Sequence, residues 1–334
     1  MGSDRLKKAL IFGVSGQDGA YLASFLLRKG YDVHGTSRDA EMSSFSSLKV
    51  LGVRDRVTLH SAALTDFRST LQVISRVGPD EIYNLAGQSS VGLSFQQPVE
   101  TLESFTTATL NVLEALRFLG TSVRFYNAGS SECFGDTDGH AATESYPFRP
   151  KSPYGVAKAA AFWLVANYRE SYGLYACSGI LFNHESPLRP ERFVTRKVAM
   201  AAARIARGSK EMLNLGDLSI RRDWGWAPEY VEAMWAMLQS PEPDDYVIAT
   251  GQEASLVDFV RHVFSSLGLD CDRHITQDRS LHRPSEIYSG FGSPEKAAQK
   301  LDWSARTYMP EIAARMALAE LTRLEGGIPE GLIC

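Results

Sequence analysis

A tyrosine and a lysine four residues apart are the side chains of this chain best suited to acid–base chemistry. Residues 152–158 read Ser-Pro-Tyr-Gly-Val-Ala-Lys. Ser152 and Pro153 are typical of a helix N-cap and first turn. Tyr154 and Lys158 should follow in that helix and share one of its faces. The phenol could take a proton from a sugar or alcohol hydroxyl if its pKa fell from about 10 to about 7, a change worth about 4 kcal/mol. One ammonium group about 4 Å away supplies an energy of that size.

Polar residues at the ends of predicted strands decide how this pair is interpreted, because such pairs also arise by chance on amphipathic helices. Ser130-Ser131-Glu132 follow a predicted strand at Val123–Asn127. The segment Asn84–Ser89 runs out of another predicted strand, Glu81–Leu85. In parallel sheets, ligands bind at the carboxyl ends of the strands. Both segments should therefore lie beside a bound cofactor.

A glycine-rich turn near the N-terminus predicts a dinucleotide site. The apolar run Lys8–Phe12 predicts a buried strand, and Ala20–Lys29 has helical periodicity. Between them lies Gly-Val-Ser-Gly-Gln-Asp-Gly, residues 13–19. Strand, glycine turn and helix form the context that a dinucleotide fold requires. Glycine lets the backbone approach a pyrophosphate closely, and the helix N-terminus offers free N–H groups to the phosphates.

The end of the second predicted strand, Tyr31–Ser37, favours NADP over NAD. An acidic residue that binds the adenosine ribose is expected near this position, but the chain has Ser37-Arg38. The planar guanidinium of Arg38 suits a 2′-phosphate, because it can donate two hydrogen bonds. Two alternatives stay open. Asp39 could pair with Arg38 or repel the phosphate, and Arg38 could be an ordinary solvated loop charge.

Alternation of strands and helices predicts the fold class. Further strands are expected at Val57–His60 and Tyr175–Leu181. We predict an α/β, Rossmann-like, doubly wound parallel sheet with a smaller C-terminal mixed α/β substrate-binding region. The predicted domains are 1–182 and 183–334, with some segments of the second returning to the sheet. Beyond residue 182 we predict further short helices and strands: helices Phe193–Arg207, Glu229–Gln239 and Leu256–Leu267, and strands Met212–Leu215 and Asp245–Ala249.

Composition excludes several other classes of protein. A net charge of −4 argues against general nucleic-acid binding. The chain has no run of eighteen apolar residues and no signal-peptide pattern, so we expect a cytoplasmic protein with no membrane contact. The four cysteines lie far apart, and neither they nor the histidines have metal-ligand spacing, so no metal site is expected.

The second half carries many cations for an acidic chain, as a pyrophosphate-bearing substrate would need. At least half of these are expected to be ordinary surface charges. Arg222, within Arg-Asp-Trp-Gly, and Arg283, before Pro-Ser-Glu, are the strongest candidates for substrate contact. The full set is Arg189, Arg192, Arg196, Lys197, Arg221, Arg222 and Arg283.

Longer motifs carry a family resemblance that covers nearly the whole chain. The glycine turn, Asn84–Ser89, Ser130-x-Glu132 and Tyr154-x-x-x-Lys158 resemble the extended short-chain dehydrogenase/reductase superfamily. More narrowly, the chain resembles GDP-mannose 4,6-dehydratases in the second-half segments 181–187 (Leu-Phe-Asn-His-Glu-Ser-Pro), 193–197 (Phe-Val-Thr-Arg-Lys) and 222–225 (Arg-Asp-Trp-Gly).

The resemblance implies a role for each matching residue. Tyr154 would be the base for the C4 hydroxyl with Lys158 as its partner, and Glu132 the C5 base. Ser130, where the family usually has threonine, would bind the sugar O4. The implied residues around a tightly bound, recycled NADP are Gly13, Gly16, Gln17, Asp18, Gly19, Arg38, Leu64, Leu85, Ala86, Gln88, Ser89, Tyr154, Lys158, His184 and Arg189. Those implied around the GDP-sugar are Asn183, Val194, Lys197, Gly216, Arg222, Arg283 and Glu286. Ala63 departs from the family, which has an aspartate that caps the adenine.

The implied activity is dehydration of a GDP-sugar to its 4-keto-6-deoxy product. The alternatives left open are a GDP-4-keto-6-deoxysugar reductase and a GDP-manno-heptose 4,6-dehydratase. His184-Glu185-Ser186 disfavours an epimerase of the same superfamily, and the intact acid–base set disfavours a sensor without turnover. Wide apolar faces on Thr101–Leu119 and Ser152–Tyr172 predict at least a homodimer. The loop after Arg38, poorer in arginine than in the family, leaves a tetramer undecided.

Overall fold

A seven-stranded parallel sheet positions the predicted cofactor site. The computed structural model of the protein describes residues 5–281 and 283–329. The central sheet has the order β12-β7-β5-β4-β1-β2-β3, and all its pairings are parallel. The strands are β1 (Lys8–Phe12), β2 (Asp32–Ser37), β3 (Thr58–Ser61), β4 (Glu81–Asn84), β5 (Arg124–Ala128), β6 (Ala141–Ala142), β7 (Ala176–Leu181), β8 (Asn183–Glu185), β9 (Leu213–Leu215), β10 (Arg221–Arg222), β11 (Trp224–Trp226), β12 (Tyr246–Ile248), β13 (Ala254–Ser255), β14 (Ile275–Gln277) and β15 (Phe291–Gly292).

Helices cover both faces of this sheet and build the second region. They are α1 (Gln17–Arg28), α2 (Ser46–Val50), α3 (Phe67–Val77), α4 (Val91–Gln96), α5 (Pro98–Leu102), α6 (Ala108–Leu119), α7 (Pro153–Tyr172), α8 (Val194–Ala206), α9 (Ala227–Gln239), α10 (Leu256–Ser266), α11 (Glu295–Leu301) and α12 (Met309–Leu324). One π-helical turn, Glu103–Thr107, joins α5 to α6. Among the described residues, 3₁₀ turns lie at Arg54–Arg56, Ser131–Cys133, Cys271–Arg273 and Arg279–Leu281.

Successive side chains of each strand point to opposite faces of the sheet and pack into two separate cores, as expected for a sheet buried on both faces. On β1, Ala9 and Ile11 pack with α1 and α9 on one face. Leu10 and Phe12 point to the other face and pack with α3, α6 and α7. The predicted doubly wound parallel sheet is confirmed.

The second region packs α8, α10 and α12 around its own buried cluster, which includes Phe259 and Met316. Short strands pair as β8 with β11, β9 with β14, β10 with β13, and β6 with β15. Two segments from beyond residue 182 belong to the sheet layers: β12 pairs with β7, and α9 packs against α1. The division at residue 182 stays a prediction.

The predicted helix Thr101–Leu119 is divided in the structure, because the π-helical turn Glu103–Thr107 separates α5 from α6. The boundaries of the other predicted elements agree with the structure to within three residues. Among these, the largest error is at α1, which begins at Gln17 and not at Ala20. The reason is that Gly16 is already the extended N-cap, with φ −75° and ψ 175°, and its carbonyl accepts a hydrogen bond from the Ala20 amide at 3.0 Å. Gln17, Asp18 and Gly19 therefore form the first turn of the helix. Within the described chain, no helix combines the length and apolar character needed to cross a bilayer.

Candidate active site

Two glycines bring the turn between β1 and α1 into close contact with neighbouring backbone. Gly13 has φ +84°, and a Cβ there would lie 2.9 Å from the Ala86 Cα. A Cβ on Gly19 would lie 2.3 Å from the Gly13 carbonyl oxygen. A larger residue at position 13 would push the turn away from the segment that follows β4, and one at position 19 would push α1 away from the turn. Gly16 caps α1 without a side-chain hydrogen bond, so side chains leave the first amides of α1 free to bind phosphate.

A polar network ties the first turn of α1 to β8. The His184 Nδ1 lies 2.7 Å from the Phe182 carbonyl oxygen, and its Nε2 lies 2.9 Å from Asp18 Oδ2. Gln17 donates to the His184 carbonyl at 3.2 Å and accepts a hydrogen bond from the Ser186 hydroxyl at 2.8 Å. Residues predicted from the glycine turn and from the second-half motif therefore meet in one buried cluster.

Asp18 and His184 form an ion pair in which each stabilises the charged form of the other. Burial alone would raise the pKa of Asp18, but the His184 charge and hydrogen bond outweigh it and lower the pKa to about 2. Burial opposes the charged form of His184 as well, and Asp18 outweighs it to raise the pKa of the imidazole. Both ring nitrogens face acceptors, so the imidazolium form satisfies both contacts. A positive imidazolium at the phosphate-binding turn suits an anionic ligand.

The rest of the predicted cofactor set lies at the carboxyl ends of β2, β3 and β4. Arg38 is exposed, and its guanidinium makes no hydrogen bond or ion pair within residues 5–281 and 283–329. Asp39 does not pair with it, since the Asp39 carboxylate accepts the amides of Glu41 and Met42. Arg38 is thus available to an incoming anion. The remaining predicted residues here are Leu64, Leu85, Ala86, Gln88 and Ser89.

The predicted tyrosine and lysine open α7 as expected. Ser152 caps the helix by accepting the Gly155 amide at 3.0 Å. Tyr154 and Lys158 are both buried, and a hydrogen bond links Tyr154 to Ser130. The Lys158 ammonium donates to the Ala128 carbonyl at 2.7 Å, at the end of β5. The structure therefore brings Ser130, Tyr154 and Lys158 together at one point of the sheet edge.

Lys158 was expected to lower the pKa of Tyr154, but the residues of the protein do not produce this effect by themselves. Burial raises the pKa of Tyr154 well above its usual value, although the Ser130 hydrogen bond and the Arg189 charge act to lower it. Lys158 is not among the main groups that act on the Tyr154 pKa, and its Nζ lies 5.8 Å from the Tyr154 ring centroid and 4.0 Å from that of Phe105. Burial also lowers the pKa of Lys158 to about 8, which reduces its charge near neutrality.

Glu132 faces a cluster of charged side chains from the second region. Its carboxylate is half-buried and receives no hydrogen bond or ion pair from the described residues. Burial raises its pKa, while the charges of Arg222 and Arg283 act to lower it. Glu286 holds both arginines, at 3.1 Å from Arg222 and 3.5 Å from Arg283. A raised pKa and an unpaired carboxylate are what a general base requires.

Comparison with known proteins supports the family that these motifs resemble. Residues 10–316 match the family described as GDP-mannose 4,6 dehydratase. The chain is 42% identical over 351 residues to the GDP-mannose 4,6-dehydratase of Vibrio cholerae, covering 94% of each chain. It is 44% identical over 327 residues to GDP-mannose 4,6 dehydratase 2 of Arabidopsis thaliana, covering 94% of this chain and 87% of the relative.

The chain belongs to the GDP-mannose 4,6-dehydratase family. Solved structures similar to it include the dTDP-glucose 4,6-dehydratase of Bacillus anthracis in complex with NAD, with TM-score 0.83, 18% identity and coverage of 97% and 99% of the two chains. RMD from Pseudomonas aeruginosa complexed with NADPH has TM-score 0.78, 22% identity and coverage of 95% and 98%. At these identities the likeness shows a shared fold.

In this member of the family, the remaining predicted substrate residues lie on β8, on α8 and after β9. Asn183 pairs in register with Trp224, next to the strand that carries Arg222. Val194 begins α8, and the exposed Lys197 on the same helix donates to the Asn214 carbonyl at 2.7 Å. Gly216 follows β9. The structure shows no contact of these residues with Glu132.

Two of the second-half cations are structural in this dehydratase family member. Arg196 is buried and pairs with Glu320 at 2.9 Å. Arg221 pairs with Glu253 at 2.6 Å. Arg189, in contrast, ion-pairs with Glu185 at 3.3 Å while its charge lowers the pKa of Asp18. Arg189 therefore lies close to the Asp18–His184 pair, and its role beside the cofactor stays a prediction.

Sequence reasoning missed two residues that shape the site. Gly155 has no room for a side chain, because a Cβ would lie 2.7 Å from the Glu132 carbonyl oxygen. This contact sets how closely the Glu132 turn approaches α7. Phe105 lies in the π-helical turn, packs edge-on against Tyr154 and contacts Lys158. Gly155 could have been found from its place between Tyr154 and Lys158. Phe105 could not, because a phenylalanine in an apolar helical stretch carries no signal of a site.

Proposed function

We propose that this protein dehydrates GDP-mannose to GDP-4-keto-6-deoxymannose, using a bound nicotinamide cofactor, as its family relatives are named to do. One observation carries the proposal: the unpaired Glu132 carboxylate, with Arg222 and Arg283 beside it, lies in the turn that directly follows Ser130, the partner of Tyr154. A simple alcohol dehydrogenase needs the Tyr–Lys pair alone. A dehydratase needs a second base for the adjacent carbon.

The glycine turn fits a dinucleotide. Gly13 lets the turn pack closely against the residues after β4, Gly19 lets α1 pack closely against the turn, and the first amides of α1 lack a side-chain cap. Asp18 and His184 would position this turn, while Arg38 would hold the adenosine phosphate. A bound nicotinamide would supply a hydride acceptor for C4 and a hydride donor for C6, so the reaction has no net redox change. Nicotinamide cofactors are present in the similar structures of RMD and dTDP-glucose 4,6-dehydratase.

The chain's own residues divide the proton transfers between two positions. Tyr154, with Ser130 hydrogen-bonded to it, takes the proton of the C4 hydroxyl as C4 becomes a ketone. The ketone makes the C5 proton acidic, and Glu132 removes it as the C6 hydroxyl leaves as water. The proton released from the C4 hydroxyl balances the one that the leaving hydroxyl takes up. Glu132 then returns a proton to C5. Each positioned acid or base contributes about 10²–10⁴-fold to the rate. Arg222, Arg283 and Glu286 would hold the GDP-sugar in place for these transfers.

Mass spectrometry of the product tests this function. Purified protein should convert GDP-mannose into a product lighter by one water, with no net consumption of reduced cofactor. A gain of two hydrogens from a GDP-4-keto-6-deoxysugar would instead establish a reductase. Parallel incubation with GDP-manno-heptose decides the second alternative, because a faster turnover of the heptose would assign it as the substrate.

Arg38→Ala should weaken NADP binding much more than NAD binding. Arg38 is exposed and unpaired at the end of β2, so it can meet a 2′-phosphate with charge-assisted hydrogen bonds. Loss of one such contact costs about 1.5–3 kcal/mol, or about 10- to 150-fold in Kd. Titration calorimetry with both cofactors measures the difference, and Arg54→Ala is a control for a charge lost elsewhere on the surface. Equal affinity of the unmodified protein for NADP and NAD would contradict the assignment.

Exposed apolar side chains predict a homodimer through the α5–α6 and α7 helices. Phe118 on α6 is 73% exposed, and Trp163 on α7 is 62% exposed. Val99, Leu102, Val156 and Tyr172 extend this apolar surface. Light scattering should give a dimer at micromolar concentration, and Trp163→Glu should shift it toward monomer. Leu318→Glu, a similarly exposed apolar residue on α12, is the control and should leave the dimer intact. A monomeric unmodified protein would refute the prediction.

A further inference from the structure

The Lys158 ammonium has an aromatic neighbour that none of the site motifs contains. Its Nζ lies 4.0 Å from the centroid of the Phe105 ring, and its one hydrogen bond to the described residues goes to the Ala128 carbonyl. The same Phe105 ring packs edge-to-face on Tyr154, with centroids 5.3 Å apart and an interplanar angle of 88°. Phe105 itself is only 5% exposed. One buried ring therefore contacts both members of the acid–base pair.

The backbone around Phe105 is adapted to place this ring. Phe105 is the central residue of the π-helical turn Glu103–Thr107, and such turns are often found at functional sites. Gly87, after β4, has φ +138°, and a Cβ there would lie 2.1 Å from the Phe105 Cε1. The ring thus occupies space that only a glycine leaves open. Ser104, next to Phe105, accepts the Gln88 amide at 3.4 Å and ties the turn to this loop.

We propose that Phe105 is a positioning residue for the reaction, which holds the Lys158 ammonium over its ring face and fixes the Tyr154 phenol against the same ring. This inference rests on the proposed function. A buried ammonium over an aromatic face is stabilised by the ring quadrupole, most strongly where water is excluded. The Ala128 carbonyl and the Phe105 ring together fix the position of the Lys158 ammonium at the end of β5, and the ring favours its charged form despite its burial.

The sign of the pH effect follows from this contact. Burial lowers the pKa of Lys158 to about 8, and the ring face favours the charged form. Removing the ring should lower this pKa further. Of the other titratable groups around it, Asp18 favours the lysine cation, whereas burial raises the pKa of the Cys133 thiol to about 12 and keeps it neutral in this range. If catalysis needs the cation, activity is lost as pH rises through this pKa, so the alkaline limb of the kcat/KM profile should move to lower pH without Phe105.

An NMR titration of Lys158 tests the inference without depending on activity. In protein labelled at the lysine side chains, the Lys158 signal is assigned by its absence from Lys158→Met. Phe105→Leu should lower the Lys158 pKa by about one unit, equivalent to about 1.4 kcal/mol. Phe105→Tyr, which keeps the ring face, should restore it. Phe162→Leu is the matched control, because that buried α7 ring packs on Phe148 and Trp163 and not on Lys158.

Fluorinated phenylalanines keep the test valid if Phe105→Leu does not fold. Successive fluorines weaken the ring quadrupole while nearly preserving its shape, so the Lys158 pKa should fall stepwise from phenylalanine to trifluorophenylalanine at position 105. The alkaline limb of the pH profile for GDP-mannose turnover should move to lower pH in parallel with the Lys158 pKa. A Lys158 pKa that is unchanged across the series would overturn the inference. Failure of the unmodified enzyme to convert GDP-mannose would instead refute the proposed function and leave the titration result standing.

Discussion

Tyr154→Phe should lower kcat for GDP-mannose by at least about a hundredfold, because general-base catalysis contributes about 10²–10⁴-fold. The change removes only the phenolic oxygen, which is the atom that takes the C4 hydroxyl proton and contacts Ser130. The ring and its packing on Phe105 remain, so substrate and cofactor affinity should change little. Without this proton transfer no ketone forms at C4, and neither dehydrated product nor an oxidised sugar should appear.

Tyr168→Phe is the matched control for this loss. Tyr168 lies on the same helix, is also buried, and donates its hydroxyl to Glu114 at 2.5 Å, away from the acid–base pair. Its substitution should leave kcat within a few-fold of normal. Thermal unfolding of both variants excludes a general loss of structure. Product formation by Tyr154→Phe at a rate close to that of the unmodified enzyme would show that another group takes the C4 proton.

Local sequence signals predicted most of the sheet and one half of the site. The glycine turn, the Ser152 cap and the polar ends of β4 and β5 each depend on residues close together in sequence. Parallel strands then place those ends at one edge, because the topology of such sheets is restricted. These rules placed Ser130 at that edge, whereas its closeness to Tyr154 and Lys158 was expected only from the family resemblance.

Contacts between residues distant in sequence were not accessible in the same way. The Lys158–Phe105 contact depends on a π-helical turn and on Gly87, and no period in the sequence marks either. The expected lowering of the Tyr154 pKa was wrong for the protein alone, since it assumed that helical spacing fixes where an ammonium points. Tertiary partners, here a carbonyl and a ring, decided the position of the lysine.

The cluster around Glu132 was predictable from the sequence only in part. The sequence placed Glu132 at the end of β5, and the resemblance named the arginines that would meet the substrate. Only the fold shows that Arg222, on β10, and Arg283, after the 3₁₀ turn Arg279–Leu281, act on the Glu132 carboxylate itself. Burial raises the pKa of Glu132, which makes its carboxylate a stronger base for the C5 proton than an exposed glutamate would be. Activity should therefore fall on acidification at a pH above the ordinary titration of glutamate.

Glu132→Gln should separate the two stages of the reaction. The amide keeps nearly the shape of the carboxylate but cannot accept the C5 proton. Tyr154, Ser130 and Lys158 remain, so C4 oxidation should proceed once per site and then stop. Mass spectrometry of the quenched complex should detect a sugar two hydrogens lighter than GDP-mannose that retains its C6 hydroxyl. Tyr154→Phe should yield no such species, which distinguishes a stalled elimination from a blocked oxidation.

Deuterium exchange at C5 identifies Glu132 as the base most directly. In deuterated water the unmodified enzyme should place solvent deuterium at C5 of its product, because Glu132 exchanges its proton with solvent before returning one. Glu132→Gln should lose this exchange by about 10²–10⁴-fold, the usual contribution of a general base. The carboxylate is free for this role, since no described residue pairs with it and the nearby arginines are held by Glu286. If Glu132→Gln still incorporated deuterium at C5 at the normal rate, another residue would be the base, and Glu132 would only balance the charge of Arg222.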